Sequence, residues 1–137
     1  MNKIPIVEDS QFKGMKLGEI RNFVKAHYES KFKGKNVINE DKGITVTLGR
    51  EGLHHTIYAR NAGYIKLKAL LIINEMIESA VYCNFKDADS DDPKDIIGYM
   101  NFKSKVIIEG LNHVFRISVR LSKEGKFFYD HAVRVKK

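Results

Sequence analysis

The chain has 137 residues, 43% of them hydrophobic and 30% charged, and a formal net charge of +7. This is the length of one domain and the composition of a folded soluble protein. It lacks the run of about 20 apolar residues that a membrane span needs, so two independent cores and membrane insertion are both excluded.

The basic balance favours acidic partners, and its distribution is informative. From Lys103 to Lys137 nine basic residues face three acidic ones, Glu109, Glu124 and Asp130. A polyanion-binding surface is therefore expected on the C-terminal part. The opening Met1-Asn2-Lys3-Ile4-Pro5 has no apolar block behind it, and no secretory signal is expected. Cys83 is the single cysteine; an internal disulfide is excluded, and a buried thiol at the end of a helix is expected.

In chain order, residues 1–15 read as an N-terminal arm. Its Ile4-Pro5-Ile6-Val7 suits an edge strand, because proline gives no amide hydrogen to a central ladder. Leu17, Ile20, Phe23 and Val24 recur at helical spacing, and Gly34 supplies a stop, which predicts a helix over 17–32. Two short β-branched runs, 36–39 and 43–48, predict a hairpin. Gly49 to Arg60 breaks the pattern and predicts a loop leading into a short helical turn. From Tyr64 to Tyr82 a broad apolar face predicts the main core helix.

The stretch 86–95 is rich in aspartate and holds Pro93, which predicts an exposed acidic loop. Tyr99 to Val135 then reads as a three-stranded meander with turns at Gly110-Leu111-Asn112 and Lys123-Glu124-Gly125. On its middle strand Phe115, Ile117, Val119 and Leu121 alternate with Val114, Arg116, Ser118 and Arg120, giving one apolar face and one basic, hydroxyl-bearing face. The expected fold is a single α+β domain over 1–137, with N-terminal helices packed on an antiparallel sheet of four or more strands.

Metal chemistry finds little support. Asp87, Asp89 and Asp91 open like a calcium loop, but Asp92 and Gly98 stand where glycine and a bidentate glutamate are needed. His54 and His55 are adjacent rather than four apart on a helix, and there is no cysteine pair. No metal and no cofactor are expected.

What remains suits phosphodiester chemistry. Cleaving RNA through its own 2′-hydroxyl needs a base, an acid and a cation for the charge developing on phosphorus. Two histidines and an arginine can supply them, since imidazole titrates near neutrality. The candidates are His55, His131, Tyr129 and Arg116 as catalytic groups, with Thr56, Ser118, Arg120 and His54 as substrate contacts. Each has a plainer reading: Thr56 as a helix cap, Tyr129 and His131 as packing residues, the arginines as a solvated strand face.

The register of the last hairpin decides between these readings. A two-residue turn pairs Ser118 with His131 and Arg120 with Tyr129, on the basic face. A three-residue loop with a glycine bulge moves Tyr129 and His131 to the face of Ile117 and Val119. Both registers stay open at this level.

Several segments together resemble a family. They are Gly43-Ile-Thr-Val-Thr, Gly52-Leu-His-His55-Thr56, the apolar run Leu70 to Tyr82, Val106-Ile-Ile-Glu-Gly110, Val114-Phe-Arg-Ile-Ser-Val-Arg120 and Gly125-Lys-Phe-Phe-Tyr129-Asp-His131. In this order, over about 34–133, they resemble the phage and mobile-element nuclease domains of the barnase, EndoU, colicin tRNase and RelE-like group. Such domains occur at the ends of large phage polyvalent proteins and among bacterial toxins. The resemblance implies a metal-independent endoribonuclease or toxin acting in the bacterial cytoplasm on tRNA or rRNA, with an acidic immunity or inhibitor protein as a further partner. In it, His55-Thr56 and Tyr129-Asp-His131 match the family's polar marks, and Gly49 departs from a small hydroxyl residue. The rival readings are a non-catalytic nucleic-acid-binding module and a protein-interaction domain for an acidic partner.

Overall fold

The computed structural model describes residues 4–7, 12, 14–57 and 63–135. The first helix, α1 (Leu17–Lys31), buries Ile20, Val24 and Tyr28 at the spacing of one helical face. A hairpin of β1 (Asn36–Ile38) and β2 (Thr45–Thr47) follows, then α2 (Arg50–Ile57). Next come α3 (Tyr64–Ala69), a 3-10 turn at Leu70–Ile72 and α4 (Ile73–Ser79). Then follow β3 (Val81–Asp87), β4 (Ile96–Ile108), β5 (Leu111–Ser122) and β6 (Phe127–Arg134).

The architecture is α+β, as expected. Among the described residues six strands form one sheet in the order β1-β2-β6-β5-β4-β3. Every neighbouring pair is antiparallel except β2 and β6, which run parallel over Val46–Thr47 and Phe127–Phe128. The helices cover the face bearing Phe102, Val106, Phe115, Ile117 and Val119, all in the core with Ile73 and Met76 of α4. No helix among the described residues is long and apolar enough to cross a membrane.

Two expectations change. The core helix does not run through to Tyr82. It breaks at the 3-10 turn, where Ile72 adopts φ −126°, and ends at Ser79. Val81–Asp87 is instead the edge strand β3, paired with β4. Cys83 therefore lies exposed on a strand rather than buried at a helix end. Asp87 and Lys86 belong to that strand, and the acidic connection after it is tied down by Tyr99, whose hydroxyl donates to Asp92 Oδ1 at 2.8 Å.

The β4–β5 turn also falls earlier than expected. Ile108 pairs with Leu111, leaving Glu109 and Gly110 as a two-residue turn with φ of 55° and 72°. Left-handed φ at both positions matches the right-handed twist of the flanking strands. The arm's proline fits its edge role: Pro5 accepts at its carbonyl from the Ile107 amide, while Val7 donates back to Ile107.

Candidate functional site

The last hairpin adopts both registers that the sequence leaves open. Next to the turn, Leu121 pairs with Phe127, Arg120 with Phe128 and Val119 with Tyr129; beyond a bulge, Ser118 pairs with His131. Asp130 is the extra residue. Tyr129 consequently points with Val119 into the core, while His131 lies opposite Ser118. The expectation that Tyr129 and His131 share a face by period-two alternation fails because a bulge resets the alternation.

β2 ends after two pairs with β6, and α2 takes its place against that strand. The approach is close: a Cβ on Gly52 would lie 2.2 Å from Tyr129 Cδ2 and 2.5 Å from the Tyr129 carbonyl oxygen. Only a residue without a side chain permits it. Gly52, Leu53, Thr56 and Ile57 face inward, and His54 and His55 remain exposed. Tyr28 fixes the start of α2 by donating its hydroxyl to the Gly49 carbonyl at 2.7 Å.

This packing brings the two distant histidines to one carboxylate. Asp130 Oδ2 lies 2.8 Å from His131 Nδ1, and Asp130 Oδ1 lies 3.4 Å from His55 Nδ1. The Asp130 side chain is only 11% exposed, against 48% for His55 and 31% for His131. Burial pushes the Asp130 carboxyl up. The hydrogen bond from His131 and the positive potential of His131, His55 and Arg120 outweigh it, so the net position is below the ordinary aspartate range. The folded carboxyl is thus more acidic than the unfolded one. Its contribution to stability is complete above the ordinary aspartate value and is lost as pH falls through the lower folded value.

Beside this arrangement lies a cleft of about 450 Å³, with His54, His55, Arg120 and Phe128 among its walls; Asp130 and His131 are not among its lining residues. Arg120 is paired with Glu51 through Nη1, sits 5.5 Å from the Phe128 ring centroid and keeps a buried Nε without a hydrogen-bond partner. Among the described residues no group of three or more His, Cys, Asp or Glu side chains is placed to hold a metal ion.

The remaining candidates fall elsewhere. Tyr129 is 1% exposed, and its hydroxyl lies 2.6 Å from Thr56 Oγ1; burial pushes its ionisation up. Tyr129 contributes to the cleft wall, but its hydroxyl and that of Thr56 are spent on each other. They lock α2 to β6. Ser118 is buried, donating to Asn101 Oδ1 at 2.8 Å. Arg116 is exposed on the same strand face as Arg120, opposite Lys103 and Val133, and is not a wall of the cleft. Sequence reasoning passed over Asp130 as a functional group, although it stands between Tyr129 and His131 in the motif that was singled out.

A stability test follows. Tyr129→Phe leaves the buried Thr56 hydroxyl without its partner and is expected to cost about 1–3 kcal/mol. Denaturant melts measure it, and the exposed histidines should keep their reactivity toward an acylating reagent.

The fold and cleft define a class: a small α+β domain with a helix docked at a sheet edge and a histidine-bearing, cation-lined recess over the junction. Residues 15–129 match the family described as large polyvalent protein-associated domain 3, and the chain belongs to that family. No curated protein and no solved structure matches it.

Proposed function

We propose that this domain is a metal-independent endoribonuclease whose cleft cleaves RNA by attack of the 2′-hydroxyl on the adjacent phosphorus. One observation carries the reading: His55 and His131, 76 positions apart in the sequence, both direct Nδ1 at the single buried carboxylate of Asp130. Accepting from His131 Nδ1–H, the carboxylate fixes that ring's tautomer with Nε2 as the working nitrogen, while charge attraction at 3.4 Å holds the His55 ring to the same group.

The chemistry then needs only this chain's residues. One neutral imidazole takes the 2′-hydroxyl proton as the 2′-oxygen bonds to phosphorus. The other, protonated, delivers a proton to the 5′-oxygen as the P–O5′ bond breaks. The products are a 2′,3′-cyclic phosphate and a 5′-hydroxyl. Asp130 stabilises whichever ring is cationic, and Arg120 offers donors to the charge that builds on the phosphoryl oxygens. Arg116, further along the same strand face, takes a neighbouring phosphate rather than the scissile one. Tyr129 and Thr56 serve as positioning residues through α2.

Incubation of the purified protein with total tRNA and rRNA in EDTA tests this. Discrete fragments ending in cyclic phosphate are expected. Retention of intact RNA with salt-sensitive binding would instead favour a nucleic-acid-binding module built on the same basic face.

A further inference from the structure

The ridge of α2 separates two recesses. Arg50 and His54 stand one turn apart on its exposed side, where residues four apart are neighbours. Both line the 450 Å³ cleft, and both also line a second recess of about 290 Å³. The second recess is completed on the α1 side by Lys25, Glu29 and Lys33. Lys25 and Glu29 are likewise four apart on α1, and the Tyr28 hydroxyl bond to Gly49 holds this stretch of α1 against the start of α2.

Three cations therefore surround the recess against one carboxylate. Among the described residues, none of Lys25, Lys33 and Arg50 makes an ion pair. The proposed reaction uses none of the three. Surface cations gathered without partners add nothing by mutual contact and repel one another, so their placement suits an anion from outside.

We infer that the recess between α1 and α2 is a second nucleotide subsite, and that the substrate is a single-stranded RNA segment extending over the α2 ridge from the cleft at His55 to Lys25 and Lys33. The inference rests on the ribonuclease reading of the first cleft and adds the strandedness and minimum length of its substrate. Arg50 and His54 hold the phosphate that crosses the ridge, and the two lysines hold the next. Recesses of this size admit individual nucleotides. A duplex keeps its bases stacked and its backbone stiff, and it cannot lower successive nucleotides to either side of one helix.

The test compares a dinucleotide, a single-stranded octanucleotide and the same octanucleotide annealed to its complement, all in EDTA. The wild-type protein is expected to cleave the single-stranded octamer with a KM about tenfold or more below that of the dinucleotide, and to spare the duplex. In K25E/K33E the advantage should disappear: octamer KM rises to the dinucleotide's level while its kcat stays within about twofold, since extra binding that is equal in ground and transition states acts through KM. Dinucleotide turnover by the same variant reports that it is folded. Equal KM for dinucleotide and octamer, an unaltered octamer KM in K25E/K33E, or equal cleavage of the duplex would each overturn the subsite while leaving the ribonuclease reading in place. Failure of the wild type to cleave any of the three would overturn that reading, and the subsite with it.

Discussion

Asp130→Asn is expected to lower kcat/KM on an RNA dinucleotide by about 100- to 10,000-fold while leaving the fold intact. Asparagine matches aspartate in size, so the packing between α2 and β6 is kept. Its amide, however, offers one oxygen acceptor and one NH₂ donor where the carboxylate offers two acceptors. One imidazole then meets a donor at Nδ1, which forces its proton to the outer nitrogen and removes it from service as a base. The charge that stabilises the second ring as a cation is lost as well. A loss of less than about tenfold would show that Asp130 only supports the hairpin. The variant should also lose the acid-dependent part of the wild-type stability curve. In the wild type that part arises because the Asp130 carboxyl titrates below its ordinary range.

Gly52→Ala is expected to lower both stability and cleavage. Alanine would gain about 1 kcal/mol from helix propensity. The added carbon, however, falls 2.2 Å from the Tyr129 ring and 2.5 Å from a backbone oxygen. A ring edge can tilt, but a carbonyl within a strand cannot withdraw without breaking the ladder. Overpacking of this kind costs typically 1–3 kcal/mol and occasionally more. With backbone among the colliding atoms, the steric term exceeds the propensity gain, and a net loss of about 2 kcal/mol is expected. Because α2 carries His55, cleavage should fall together with the melting temperature. Unchanged stability would show that α2 can move away from β6 freely.

The fold was legible in the sequence where a period persisted. Leu17 to Lys31 kept helical spacing, and the strict alternation of β5 gave both its faces. Val81 to Phe85 was not legible as a strand, because a short apolar run next to a helix has no period of its own. Nor could the sequence place the break at Ile72, since apolar residues continue across it and only tertiary packing selects the bend.

The candidate site was half legible. His55, His131 and Arg120 were marked by residue type, and the structure brings them to one junction. Tyr129 and Thr56 were marked by motif and turn out to be internal fasteners. The reason is the bulge: a single extra residue, Asp130, changes which face follows Tyr129 and turns its own carboxylate between the histidines. Alternation alone cannot reveal such an insertion, because the pairing partner that exposes it lies on another strand.

The pH–rate profile of dinucleotide cleavage, measured in EDTA for the wild type, His55→Ala and His131→Ala, bears most directly on the shared carboxylate. One imidazole must be neutral and the other protonated, so the wild-type kcat/KM is expected to trace a bell, with each single variant losing a different limb along with most of its rate. A bell that survives intact in either variant, or a rate that depends on neither histidine, would contradict the account.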